Sequence, residues 1–519
     1  MMHKNGDKAG IKIRIKNPLF FLAGVVMVVA TGAWLRFVEC DERPLHFDES
    51  VQARILADRL EQQAHPFDPA HFHGPLLSLS AQPIARLRGE ESWSTLTAPT
   101  LRFTAALFGL MTVVAAMGMR SSFGAGAGLA SAAFIATSPL LAYYSRMFIH
   151  EPVFVLFGLV SVLTLYTFLE RPRFFLSALL GWSIGLMAAT RETVVISLLV
   201  WTVATVIWLR LHHADSFRSD RIRHVARIAL PHLLVAGLVG FAVTAFVYSD
   251  FLRHPRGVVD FFTTFFVYRP QPGHEKPFAY YVNLMMVPKW SGGVWWTEVG
   301  ILFFAVMGSL ITPAGRGRQA SRFFCFTGLL HILIYSAIPY KTPWLMALGW
   351  THVCLAAGIG SAQWMSVARG RWRVLAVGLV AMVLCWHTVQ SHRAVFRFAS
   401  DPRNPYAYVP TSTDLVRWVD WLEELSVRHP ALRADPVAVV GPSYWPLPWY
   451  LRGFDRVGYW DVFPENAAAL PLLLVLSPNE PEQLEHTHML FPRGLRDDVL
   501  VTVAIRNDVW EKEVKGAVP

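Results

Sequence analysis

Charge is what this chain has least of. Only 16% of its 519 residues are Asp, Glu, Lys or Arg and 53% are hydrophobic, whereas about a quarter of the residues of soluble proteins are charged. That balance excludes a soluble globular protein and indicates a membrane protein. Cysteine is scarce as well: Cys40, Cys325, Cys354 and Cys385 are scattered and three lie in apolar segments, so neither a disulfide framework nor a thiol metal site is indicated. Internal repeats and low-complexity tracts are missing, and no cleavable leader is convincing, because the first apolar run is long and reads as a retained signal anchor. The net charge of +10 would suggest nucleic acid in a soluble protein. Here the arginines and lysines fall mainly in short loops between apolar runs, the positive-inside pattern, and no nucleic-acid partner is expected.

A bilayer core of about 30 Å needs roughly 20 apolar residues per helix, and such runs recur from residue 18 to about residue 391, giving about eleven spans. They lie near residues 18–38, 99–119, 124–143, 149–169, 174–190, 192–210, 228–248, 294–312, 322–339, 343–365 and 373–391. The basic segment 1–17 then stays in the cytoplasm. Inner loops carry Arg120, Arg171 and Arg173, the run from Arg210 to Arg227, Arg316, Arg318 and Arg322, and Arg369, Arg371 and Arg373. A miscounted span would make these clusters alternate sides. The outer segments are the long loops 39–98 and 249–293, the short turns SRMFIHE, TRE and PYKTPW, and the chain from 392 onward. The fold class expected is an all-α polytopic membrane protein spanning 18–391, in a plasma or inner membrane, with a small extracytoplasmic α/β domain over 392–519.

Apolar residues at helical spacing in DESVQARILADRL suit a helix at the membrane interface. HFHGPLLSLSAQPIARL opens on a Gly-Pro turn and continues as a short apolar helix, and 249–293, rich in Phe, Tyr and Trp, reads as an aromatic interfacial segment. In the C-terminal part TSTDLVRWVDWLEEL has the caps and periodicity of a helix, while PVAVVG, PLLLVL and VLVTVAI read as short buried strands.

Each polar motif on the outer side has a bland reading beside a functional one. Asp48 and Glu49 in HFDES are placed to favour the positive end of a helix dipole. Arg146 and Glu151 in YYSRMFIHEP could be a snorkelling cation and a helix start, and Arg191 and Glu192 in TRE a mutual ion pair. Lys341 in PYKTPW could belong to an aromatic belt, which leaves Pro339 and Pro343, stiffening the backbone on both sides of it, without a reason. Taken together on one face, a basic cluster beside paired carboxylates suits a phosphate group next to a general base. If a lipid carries that phosphate, it sits at the membrane surface, where these loops lie.

The order of HFDES, HGPL, YYSRMFIHEP and PYKTPW resembles the lipid-linked-sugar glycosyltransferases of the GT-C type. The likeness, over roughly residues 18 to 365, is to the dolichyl-phosphate-mannose protein mannosyltransferase-like group and its flippase-activity-associated subgroup. The resemblance implies a GT-C-like fold and a hexosyltransferase or mannosyltransferase-like activity that uses a polyprenyl-phosphate sugar. Asp48 matches the acidic residue that acts on the acceptor, with Glu49 beside it and the pair Asp41-Glu42 as a rival lacking the HxDE setting. Arg146 and Lys341 match positions meeting the donor phosphate, and Glu151, Arg191 and His73 are supporting residues. Glu151 could hold a divalent metal through oxygen ligands or pair with Arg146. The motif WPLPWYLR, Trp445 to Arg452, recurs in related chains without an assigned role.

The implied chemistry is attack by an acceptor hydroxyl, deprotonated by Asp48, on the anomeric carbon, with polyprenyl phosphate leaving from the opposite face and inversion as the outcome. A phosphate already leaves as an anion, so cations replace the general acid that glycoside hydrolases need. The acceptor is a glycan, lipid or protein. A transporter or lipid flippase would show repeated halves and charges near the bilayer midplane, whereas a non-catalytic scaffold of glycan assembly would tolerate substitution at Asp48 and Lys341.

Overall fold

The computed structural model describes residues 18–61, 67–212, 219–267 and 273–516. The basic segment 1–17 and part of the arginine-rich stretch after Arg210 lie outside the described residues. Among the described residues eight helices are long and apolar enough to cross a membrane: Pro18–Phe37, Ala98–Phe123, Glu151–Glu170, Val194–Leu211, Ala229–Tyr248, Arg316–Ala337, Pro343–Val367 and Arg371–Arg397. Four shorter apolar helices, Ala125–Thr137, Phe174–Ala188, Gly257–Val267 and Val299–Leu310, accompany them. The chain is a multi-pass membrane protein. Pro343–Val367 is enclosed by its neighbours over most of its length, which explains why that span carries so many small residues: they let helix backbones approach closely where lipid offers no hydrophobic drive.

Every expected span has a helix at its centre, but three are short, for local reasons. The stretch 124–143 breaks at Ser138, whose backbone is extended, and restarts at Pro139, a residue pre-set for a helix start. The helix expected over 174–190 stops at Ala188, where the TRE turn begins. The span expected from 294 begins five residues later, because Lys289–Ser291 (β1) and Val294–Trp296 (β2) pair antiparallel across Gly292 and Gly293, both at positive φ, the geometry of a two-residue hairpin. Arg316 pairs with Glu170, at the end of the helix Glu151–Glu170 away from Glu151.

The C-terminal region is a five-stranded sheet in the order β4-β3-β5-β7-β6, with β3 Val437–Val440, β4 Val457–Trp460, β5 Leu472–Leu476, β6 His488–Arg496 and β7 Val499–Arg506. β3 is parallel to β4 and β5, and β7 is antiparallel to β5 and β6. β3 and β5 are buried throughout, which is why they read as continuous apolar runs. The helix Thr413–Arg428, capped by Ser412 Oγ accepting from the Asp414 N–H, lays Leu415, Trp418, Leu422 and Leu425 on one side of the sheet.

This region sits on the first long loop through WPLPWYLR. Tyr450 Oη accepts from the Leu45 N–H at 2.8 Å, Thr411 Oγ1 donates to the Leu45 carbonyl at 2.7 Å, and Arg452 donates to the Leu96 carbonyl at 2.7 Å. Trp449 joins the apolar core formed by Leu56, Leu77 and Leu101. Below it, the buried carboxylate of Glu298 accepts from Ser138, the Leu140 N–H, Trp350 and Tyr406. Four donors on one anion fix the connection around Tyr406 to the membrane helices.

Candidate active site

His46 opens the helix Phe47–Leu60. Its Nδ1 accepts from the Asp48 N–H at 3.2 Å, and the Glu49 carboxylate accepts the His46 N–H at 2.9 Å, a reciprocal cap that satisfies two otherwise orphaned donors. Since Nδ1 accepts and Nε2 faces the Tyr408 carbonyl at 3.1 Å, the ring is neutral with its proton on Nε2. Burial, more than any neighbouring charge, lowers its pKa to about 4.

The two adjacent carboxylates then part company. Glu49 is fully buried, accepting from Arg102 Nε and Nη2 at 2.8 and 2.9 Å, from Arg43 at 3.1 Å and from the Phe148 N–H at 3.1 Å. Burial pushes its carboxyl up, but the two guanidiniums outweigh that and hold it below the usual carboxylate range. Asp48 faces the other way: with Val51, Gln52, Ile55 and Asp58 it lines a cavity of about 390 Å³, a stripe at helical spacing. Ala53, Leu56, Ala57 and Leu60 pack on the loop core behind. The Asp48 side chain is 36% exposed, on the side of the cavity. Burial in this wall and the nearby Glu151 carboxylate push Asp48 up to about 7, against the pull of Arg191.

Three other motifs meet Asp48 here. Glu151 pairs with Arg191, His73 Nδ1 lies 2.9 Å from Glu192, and the His150 ring stands edge-on to His73 at 5.1 Å. The Glu192 carboxyl is pushed up by burial and down more strongly by His73 and Arg191, ending below its ordinary value. The HGPL glycine explains the approach: the Leu76 N–H donates to the Ala189 carbonyl at 3.1 Å, and a Cβ on Gly74 would lie 2.3 Å from that oxygen.

Of the residues the sequence singled out, the structure brings Asp48, His73, Glu151 and Arg191 onto one cavity and places Glu49, Arg146 and Lys341 behind it. Arg146 donates to the carbonyls of Leu35 and Glu39 and lies over Phe396 at 5.1 Å, lining a separate small cavity with Arg43 and Arg102. Lys341 Nζ donates to the Ile338 carbonyl at 2.5 Å and the Lys276 carbonyl at 2.8 Å, while its N–H donates to the His274 carbonyl at 2.9 Å. It fastens the 273–276 loop to the turn, so that His274, Tyr340 and Trp344 line the cavity instead. Asp41 and Glu42 are exposed and are not among the lining residues. Among the described residues no three His, Cys, Asp or Glu side chains form a metal-holding group, and Arg191 occupies the Glu151 carboxylate. Sequence reasoning missed Tyr408, Trp445 and Arg496, which complete the wall from the C-terminal side. WPLPWYLR offered a signal for Trp445; nothing marked Arg496 out.

The dolichyl-phosphate-mannose-protein mannosyltransferase family model matches residues 72–244, a stretch holding His73, Arg146, Glu151 and Arg191 and leaving out Asp48. No curated protein matches. ArnT from Cupriavidus metallidurans, solved bound to undecaprenyl phosphate, superposes with a TM-score of 0.62 at 15% identity, over 94% of this chain and 99% of that one. The fold is the GT-C fold. The oligosaccharyltransferase of Archaeoglobus fulgidus in its apo form shares it, with a TM-score of 0.53 at 13% identity over 88% of this chain and 66% of that one. Archaeal AglB from the same organism, in complex with an inhibitory peptide and a dolichol-phosphate, gives 0.52 at 13% identity over 88% and 69%. The GT-C likeness read from the motif order thus extends past residue 365 into the C-terminal region.

Proposed function

We propose that this protein is a glycosyltransferase that moves a sugar from a polyprenyl-phosphate donor to an acceptor hydroxyl at the outer face of the membrane, with inversion. The observation that carries the reading is the place of Asp48 on the wall of a cavity of about 390 Å³ that Arg191 also lines, where burial and the Glu151 carboxylate push its carboxyl up to about 7. A general base works best with a pKa near the operating pH, and the cavity is in the range that holds a small ligand.

Asp48 takes the proton of the acceptor hydroxyl. The hydroxyl oxygen bonds to the anomeric carbon as the bond from that carbon to the phosphate oxygen breaks, and the electron pair leaves with polyprenyl phosphate. Arg191, oriented by Glu151, and His73, oriented by Glu192, face the leaving phosphate from the membrane side. One cation about 4 Å from a phosphate charge is worth roughly 4 kcal/mol at an effective dielectric of 20, about a thousandfold in rate if realised at the transition state. Glu49, Arg146 and Lys341 are positioning residues in this scheme, each holding backbone on which a cavity residue stands. The C-terminal region and residues 39–98 share the outer side, which fits the arginine distribution.

The test is release of polyprenyl phosphate from a panel of polyprenyl-phosphate sugars by the purified full chain in lipid, with native membrane extract as acceptor source and Asp48→Asn alongside. Donor-dependent release that the variant loses supports transfer. Absence of release from every donor moves the reading to a non-catalytic scaffold or a lipid-linked-sugar transporter.

A further inference from the structure

Arg496 lies in β6, just after the irregularity in pairing between Gly494 and Arg496, and this bulge re-aims its side chain, as bulges do. The side chain is 11% exposed and lines the cavity. Its charge is poorly matched within the protein. Nη2 donates to the Ser443 carbonyl at 3.3 Å, Nε makes no hydrogen bond, and the one carboxylate within ion-pair reach among the described residues, that of Asp498, is 3.9 Å away and 69% exposed. A desolvated guanidinium with a free donor is costly unless an anion completes it.

Beside it, Trp445 stands edge-on to Phe47 at 6.4 Å and also lines the cavity. The position of the pair matters. Arg191 and Glu151 lie at the ends of membrane helices, where a lipid-borne phosphate must sit, whereas Arg496 and Trp445 come from the C-terminal sheet region, away from the membrane. Resting on the transferase reading above, we propose that Arg496 and Trp445 form the acceptor subsite and select a saccharide bearing an anionic group, a carboxylate or a phosphate. The guanidinium takes the anion in a two-pronged contact, and the indole takes the apolar face of the ring.

The experiment measures binding of four probes to the full chain in nanodiscs: a uronate-containing disaccharide, a sugar-6-phosphate disaccharide, their neutral counterpart, and undecaprenyl phosphate. Wild type should prefer at least one acidic saccharide over the neutral one by about tenfold, with the two acidic probes telling carboxylate from phosphate. Arg496→Gln should abolish that preference and leave undecaprenyl phosphate binding unchanged; Arg496→Lys should restore part of it; Trp445→Leu should weaken acidic and neutral saccharides alike. A wild type with no acidic preference overturns the proposal. So does an Arg496→Gln variant that loses undecaprenyl phosphate instead, which would give Arg496 to the donor, or one that keeps the acidic preference, which would make Arg496 structural. An acidic preference without any polyprenyl phosphate release would keep the subsite and remove the transferase reading.

Discussion

Glu151→Gln separates an electrostatic role for the Glu151–Arg191 pair from a merely structural one. With its pKa near 7, Asp48 is about one-tenth ionised at pH 6 and about nine-tenths at pH 8. If ionised Asp48 is the base, kcat/KM for release of polyprenyl phosphate rises roughly tenfold across that interval. Glu151 raises Asp48 and Arg191 lowers it. The substitution removes the first influence and frees the second from its ion pair, so both changes act downward. A unit charge at roughly 6 Å is worth about 3 kcal/mol at an effective dielectric of 20, or about two pKa units; with compensation by solvent entering the cavity, a drop of at least about one unit is expected. The acidic limb, followed from pH 5 to 9 in nanodiscs, should therefore move to about pH 6 or lower, whatever happens to the plateau rate. A midpoint that stays in place or moves up would refute the argument.

Asp48→Asn should abolish transfer while raising stability in alkaline solution. Between the ordinary carboxylate value of 3.8 and about 7 the folded chain keeps a proton that the unfolded chain has lost, so stability falls as pH rises through that window and stays lower above it; melting curves of variant and wild type should coincide near pH 4 and separate at pH 8. Glu49→Gln should behave in the opposite way, lowering the thermal midpoint and activity together, because it strips the anion from Arg102 and Arg43 at a cost of about 3–5 kcal/mol; a stable, inactive Glu49→Gln would instead make Glu49 part of the chemistry. Gly74→Ala forces the backbone away from the Ala189 carbonyl and should loosen His73 from Glu192, seen as a loss of about 2 kcal/mol or more in denaturant unfolding and a higher KM for the donor. An unchanged KM would take His73 out of the phosphate site.

The membrane helices were legible because their signal is collective: runs of apolar residues set them, and a parity argument from arginine placement gave the expected sides. That parity argument is what gathered HFDES, HGPL, YYSRMFIHEP, TRE and PYKTPW, and four of the residues singled out in them do share one cavity. Side-chain direction was not legible. Asp48 and Glu49 are neighbours in sequence yet differ by about a quarter-turn of helix, and only the partners, Arg102 for one and open space for the other, tell them apart. Even so, His46 followed three residues later by Glu49 has the spacing of a reciprocal helix cap, a reason for Glu49 that the sequence contained. Lys341 drew attention through its prolines, and those prolines serve a turn whose Ile338 and Pro339 carbonyls converge on its amine. The β1–β2 hairpin was hidden because SGG sits among aromatics that also suit a membrane interface. β6 was hidden because Pro492 and Gly494 interrupt it, as they do in edge strands. Arg496 could not be found from local pattern at all, since what distinguishes it is a place on the cavity wall and an Nε that makes no hydrogen bond.

The cavity wall joins Asp48 to Arg496, positions about 450 residues apart in the chain. At about 5–20 residues per second, ribosomal synthesis takes roughly twenty seconds to a minute and a half to cover that distance. During that interval the membrane helices are already inserting while the pocket lacks one side, so a nascent chain displays Asp48 and Arg191 without the surface that Trp445 and Arg496 provide. The order of synthesis thus leaves a stretch of time in which the cavity stands open on the side where its last wall is still to be made.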